Sequence, residues 1–340
     1  MKAPFVWFGG KRRVAEIVWQ ALGDVDNYVE PFAGSLAVLL ERPDYHDGRC
    51  ETVNDKDGYI SNFWRALANA PDEVAKYADW PVNEIDLTAR HLWLVNSGRE
   101  RLLRMQGDPD FYDAKVAGWW VWGINAWIGG GWCSGKGPWR VGQDGALVDI
   151  RQLPHLGDAG QGVNRKRPHL GNRPVAEHGF GSNISLPCPI QDYFHQLSNR
   201  LRRVRVCCGD WQRVLTNGAT SFGSTVGVFL DPPYDLSLRD GGCYNVDAVG
   251  ISHEVREWCI SKGDDPRFRI VLAGYEDEHA GKMPDGWRVH AYKANKSYGT
   301  SNGGGRNDAN RHKERLWFSP SCNPVNGSAQ HMTEIELAIA

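Results

Sequence analysis

A doubly wound α/β sheet interrupted by a long insertion is the architecture this sequence predicts. Three observations predict it. Short apolar runs bounded by turn residues alternate with helical patterns in both end regions of the chain. That alternation stops between about residues 70 and 200, where Gly, Pro and isolated charges take over. Charge divides near the same place. Residues 129–205 carry 11 Lys and Arg against 5 Asp and Glu, so a segment of +6 belongs to a chain whose net charge is only −2, and the remainder is −8. A basic segment on an acidic body suits a polyanionic partner.

The elements follow in order. Apolar runs predict seven strands, over 27–32, 50–54, 204–208, 226–230, 268–273, 287–292 and 314–318. A glycine turn at Gly34 predicts a helix over 34–40 after the first strand. Ile60, Phe63, Trp64 and Leu67 at helical spacing predict another over 58–67 after the second. A buried helix is expected over 117–127, loop over 129–180, and a mobile tail from 319. The expected division is a sheet-bearing part from 1–68 and 200–320, an insertion over 69–199 and a tail over 321–340.

Composition narrows the class. With 340 residues the chain buries a core without staples. The 39 Gly and 18 Pro imply many loops, and the 15 Trp imply many flat faces to place. The most apolar stretch, 118–132, is too short to span a bilayer and has Asn125 in its middle. Residues 1–13 lack the apolar run of an export signal. None of the eight Cys forms a Cys-x-x-Cys pair or has a His at zinc spacing, which favours reduced thiols in a cytoplasm and no metal.

The sharpest motif is Asp231-Pro232-Pro233-Tyr234, directly after the apolar run 226–230. Ligands of open α/β sheets bind beyond the carboxyl ends of strands, where this tetrapeptide falls. The prolines leave the backbone short of N–H donors, so local carbonyls act as acceptors. A carboxylate precedes them and an aromatic ring follows. This set suits a planar base with an exocyclic amine: two acceptors take the amine hydrogens and the ring stacks on the base. Such acceptors favour a pyramidal nitrogen with a usable lone pair.

Two further motifs point to a nucleoside cofactor. Glu30-Pro31-Phe32-Ala33-Gly34-Ser35 joins the first strand to the next segment, with a glycine that lets backbone approach a ligand. About 20 residues on, Asn54-Asp55-Lys56-Asp57 ends the second strand with acids placed to take ribose hydroxyls. At the start, Trp7-Phe8-Gly9-Gly10-Lys11 sets glycines between an aromatic ring and a lysine that anchors a carboxylate. No phosphate loop of the Walker type is present.

Together, and in this order, the motifs resemble the Dam-like DNA adenine-N6 methyltransferases, in the arrangement called the alpha group. Val53-Asn54-Asp55, Ile60-Ser61-Asn62-Phe63, Ser301-Asn302-Gly303-Gly304-Gly305-Arg306 and Lys313-Glu314-Arg315-Leu316 extend the likeness, which spans residues 5–318 and is dense near the motifs. The resemblance implies a Rossmann-like S-adenosylmethionine-dependent methyltransferase sheet with an inserted, mostly helical and loop-rich target-recognition domain. It implies S-adenosylmethionine as cofactor, held by Trp7, Gly10, Lys11, Glu30, Pro31, Phe32, Gly34, Ser35, Asp55 and Asp210. It implies that Asp231, Pro232, Pro233 and Tyr234 hold a flipped adenine. It also implies double-stranded DNA as partner, a monomer or homodimer, and a bacterial or phage-infected cytoplasm. The insertion then carries the DNA contacts, for which Asn125, Arg140, Arg165, Lys166, Arg167 and Arg173, with Asn302 and Arg306, are the candidates. The family turn is commonly Phe-x-Gly-x-Gly, and Leu36 replaces its last glycine here.

Two alternatives stand beside this reading. A cytosine-N4 methyltransferase more often begins the tetrapeptide with Ser than with Asp. A non-catalytic DNA binder has no need of Asp231, Lys11 and Asp55 together. Pro187-Cys188 lacks the companion Glu-Asn-Val of a cytosine-C5 enzyme and reads as chance.

Overall fold

The computed structural model describes residues 1–5, 7, 11–43, 48–108, 110–127, 132–133, 139–141, 147–149, 189–234, 250–292, 313–325 and 329–330. The chain forms two compact units. One comprises Trp7–Lys56 with Arg203–Ala340, the other Met1–Val6 with Asp57–Arg202.

The first unit is a sheet. Its strands are β1 (Asn27–Glu30), β2 (Cys50–Asp55), β3 (Val204–Cys208), β4 (Val226–Leu230), β5 (Phe268–Tyr275), β6 (Arg288–Ala291), β7 (Glu314–Phe318) and β8 (Ala329–Gln330). Their order is β3-β2-β1-β4-β5-β7-β6-β8. Strands β1 to β5 are mutually parallel, whereas β7 runs antiparallel to β5 and β6, and the two-residue β8 pairs antiparallel with β6. All seven expected strands form. The first stops at Glu30, two residues early, and the fifth runs on to Tyr275.

The central strand shows why the apolar runs are legible. Every residue of β4 is buried. Val226, Val228 and Leu230 join a cluster with Val255, Cys259, Ile270 and Leu272. Gly227 lies where a Cβ would come within 2.8 Å of Val25, so this position needs the close approach that glycine permits. A strand covered on both faces reads as a continuous apolar run rather than an alternating one.

Two expectations are corrected. No α-helix forms over 34–40. Gly34 has φ 46° and Leu36 has φ 55°, and a right-handed helix excludes both. Only a 3-10 turn follows, at Leu39–Glu41. The segment after 319 is not a mobile tail at its start: the Asn323 N–H donates to the Ala21 carbonyl at 2.8 Å, Cys322 and Val325 are buried, and 329–330 add β8. Residues 331–340 lie outside the described residues.

Asn54 ties the strand ends together. Its buried side-chain amide donates to the carbonyls of Pro31 and Gly209, each at 3.0 Å, while its backbone carbonyl accepts from Ala33 N–H at 2.9 Å. The turns after β1 and β3 are thus fastened to β2.

The second unit is mostly helical, with helices Gly58–Asn69, Pro71–Ala78, Glu84–Trp93, Ala114–Ala126 and Pro189–Leu201, and two short antiparallel strands, Trp139–Val141 and Leu147–Asp149. Side chains of Asp57, Asn83 and Asp113 cap three of these helices. Its core stacks Phe5, Phe63, Trp64 and Trp120, with ring centroids 4.8–5.8 Å apart. The helix Gly58–Asn69 groups here, whereas the expected joint at 68 placed it with the sheet. The cause is visible in Asn62, whose side chain donates to the Asp113 carbonyl at 3.0 Å and accepts from the Asp113 N–H at 2.9 Å. Among the described residues no helix is long and apolar enough to cross a membrane, and no group of three or more His, Cys, Asp and Glu forms a metal cluster.

Because Asn54 satisfies one buried and one part-buried carbonyl, we expect Asn54→Ala to cost about 1–3 kcal/mol of stability, read as a lower denaturation midpoint. An unchanged midpoint contradicts this role.

Candidate active site

Strand order reverses at the β1–β4 pair: β2 follows β1 on one side and β5 follows β4 on the other. Crevices at such a point, beyond the carboxyl ends, are where open α/β sheets bind ligands. Two of the sequence motifs lie there. β1 runs into Glu30-Pro31-Phe32 and β4 into Asp231-Pro232.

Asp231 is the hub. Lys11 Nζ lies 3.0 Å from its Oδ1, and the Tyr234 hydroxyl donates to the same oxygen at 3.3 Å. Among the described residues none bonds Oδ2. The Asp231 side chain keeps 18% of its surface exposed, against 4% for Lys11. Tyr234 is buried, its ring 4.4 Å from that of Tyr275 and 5.2 Å from the Lys11 ammonium. Pro232 is buried beside them and Pro233 half-buried.

Glu314 completes the cluster. Strand β7 is antiparallel, so its first residue arrives at the edge where the parallel strands end, opposite Tyr275. Its Oε2 is 3.6 Å from Lys11 Nζ, and the Tyr292 hydroxyl donates to it. Burial raises the Asp231 carboxyl above its ordinary value, and Lys11 offsets part of this. Burial also disfavours the Lys11 ammonium, but Asp231 and Glu314 outweigh it and hold the pKa above that of a free lysine. Lys11 thus anchors carboxylates of this chain.

The glycine turn forms a second part. Gly34 N–H donates to Asp55 Oδ2 at 2.9 Å. A Cβ on Gly34 would meet Trp7 Cδ1 at 2.6 Å, so the indole lies directly on the turn. Leu36, fully buried, holds the left-handed backbone at the position where the family commonly has glycine. The left-handed backbone at Leu36 costs on the order of 1 kcal/mol, which burial of the side chain offsets. Ser35 and Pro31 are buried, and Phe32 lies 6.1 Å from Trp211 at 30°. Asp210 is exposed and caps the turn Trp211–Val214, accepting from Gln212 N–H at 3.0 Å.

Glu30 lies deeper. It is buried and accepts from the Tyr28 hydroxyl at 2.9 Å, and burial pushes its pKa up to about 8.

The DNA candidates fare differently. Asn125 is buried in the helix Ala114–Ala126, its amide donating to Pro4 at 3.1 Å and Val121 at 2.7 Å. Gly10, Arg165, Lys166, Arg167, Arg173, Asn302 and Arg306, and the side chain of Arg140, lie outside the described residues. Sequence reasoning gave no separate role to Asn54 or Glu314, although both lie in motifs that it singled out, and it did not name Trp211, Tyr275 or Tyr292.

A mixed α/β sheet of seven main strands, with this edge, is consistent with a methyltransferase fold. Residues 7–84 match the family model for D12 class N6 adenine-specific DNA methyltransferase. The match supports a Dam-like adenine methyltransferase: the chain is an enzyme, and its reaction is methylation of adenine N6 in DNA. The matched segment includes Trp7, Lys11, Gly34 and Asp55 and ends before Asp231. No curated protein matches the chain.

The buried Glu30 sets a pH dependence. Its folded pKa, about 8, lies above the ordinary value of 4.5, so the folded state holds a proton that the unfolded state releases. This contribution is fully present below pH 4.5 and is lost as pH rises towards 8. We expect stability to fall from about pH 5 to 8 by on the order of a few kcal/mol, and Glu30→Gln to flatten that slope. Denaturation at both pH values checks it, and an equal slope in the variant contradicts it.

Proposed function

We propose that the enzyme methylates adenine at specific sites in duplex DNA, with the adenine flipped into the crevice at Asp231 and S-adenosylmethionine beside it on the Gly34 turn. The observation that carries this is Asp231, a half-buried carboxylate at the switch point with Oδ2 unbonded among the described residues.

The residues fit the donor chemically. Asp55, beside the Gly34 turn, would accept ribose hydroxyls, and Trp7, Phe32 and Trp211 would offer aromatic faces. The carboxylates of Asp231 and Glu314 outnumber the single ammonium of Lys11, which suits a cationic sulfonium. When bound, S-adenosylmethionine supplies an already electrophilic methyl group. The chain's own work is alignment and exclusion of water. Asp231 Oδ2 and the Pro232 carbonyl accept the two amine hydrogens of the base, and Tyr234 stacks on its face. As the amine nitrogen becomes positive, Asp231 stabilises it; it acts as an acceptor rather than a strong base. Pairing and stacking lost on flipping cost roughly a few kcal/mol, which contacts from the recognition unit offset. That unit is the one containing 57–202, and its basic segment serves phosphate binding. The setting we propose is a cytoplasm, on DNA.

Duplex DNA incubated with labelled methyl donor and digested to nucleosides tests the reading. Label is expected in N6-methyladenine; label in N4-methylcytosine, or none on any sequence, contradicts it. Asp231→Ala should lower transfer on the order of 10²–10³-fold with DNA affinity unchanged. Equal loss of DNA binding would make Asp231 structural. Asp55→Ala should weaken donor binding by about tenfold or more, measured by calorimetry.

A further inference from the structure

The cluster at Asp231 holds one cation between a half-buried and a buried carboxylate, which is more negative charge than a resting ion pair requires. Lys11 Nζ sits 3.0 Å from Asp231 and 3.6 Å from Glu314, so it is shared rather than committed to either. Glu314 is itself fixed: it is buried on the first residue of β7, and the Tyr292 hydroxyl donates to its Oε2. Without Glu314, Lys11 would pair with Asp231 alone, and the site would be neutral exactly where an amine turns positive. With it, the cluster keeps one net negative charge. Buried ionisable groups are costly, and a third one beside a satisfied pair calls for a function.

We propose that Glu314 is a positioning residue for methyl transfer: its carboxylate holds Lys11 partly off Asp231 and keeps net negative charge beside the reacting amine. The proposal rests on the reading that Asp231 accepts that amine. The groups facing the cluster are Lys11 from the N-terminal turn, Asp231 and Tyr234 after β4, Tyr275 at the end of β5, Tyr292 after β6, Glu314 on β7 and Glu30 at the end of β1. Glu314 raises the pKa of Asp231 as a like charge. Removing that charge therefore lowers the pKa of Asp231, and the acidic limb of the rate profile follows it downward.

The test is the single-turnover rate of methyl transfer to duplex DNA as a function of pH. For Glu314→Gln we expect a rate roughly tenfold lower at neutral pH, little change in KM for DNA, and an acidic limb displaced to lower pH. Glu314→Asp, which keeps the charge, should restore most of the rate and return the limb. Tyr292→Phe supplies a second reading if Glu314→Gln does not fold. Glu314 then loses its donor and draws Lys11 further from Asp231, so the limb should move the opposite way, to higher pH. A Glu314→Gln enzyme with wild-type rate and limb overturns the proposal, and so does a loss confined to KM or accompanied by no directed pH shift. For Tyr292→Phe, an unmoved limb overturns it. Failure of the wild-type enzyme to methylate adenine overturns the underlying reading instead, so the two failures are distinguishable.

Discussion

The reversal of strand order between β1 and β4 is the constraint on which the rest of the sheet unit depends. The strand order runs away from this pair on either side, and the carboxyl edge at such a point is where open α/β sheets bind ligands. That open edge receives the glycine turn of β1 and the carboxylate of β4. Asn54 holds the turns of β1 and β3 against β2. The antiparallel β7 adds what a parallel strand there would not: its first residue, Glu314, at the same edge.

Electrostatics at this edge is arranged against folding stability. Asp231, Glu314, Glu30 and Lys11 are all largely withdrawn from water, and burial works against the charged form of Asp231, Glu30 and Lys11. At this edge two carboxylates, Asp231 and Glu314, meet one ammonium, Lys11. A surplus of negative charge in a partly dry crevice suits the proposed reaction, whose donor is cationic and whose acceptor becomes so.

Much of this was legible in the sequence, for physical reasons particular to each residue. The strands were legible because both faces of the sheet are covered, as at β4. The place of the tetrapeptide was legible because it directly follows the continuous apolar run of β4. The helix expected over 34–40 failed because Leu36 adopts a left-handed backbone that nothing in its side chain announces. Glu314 stayed hidden because its partner Lys11 is 303 positions away in sequence, and only the strand order brings them together. The tryptophans resolve in part. Trp64, Trp120 and Trp122 fill the helical unit's core, Trp287 and Trp317 that of the sheet, and Trp7 lies on the Gly34 turn.

The central claim is that one edge, between β1 and β4, serves both donor and base. A crystal structure of the full chain with S-adenosylhomocysteine and a duplex bearing its methylation site tests this most directly. The account predicts the cofactor product against the Gly34 turn and Asp55, with an extrahelical adenine whose N6 lies within hydrogen-bond distance of Asp231. A cofactor bound away from that edge, or an adenine lodged apart from Asp231, would contradict it.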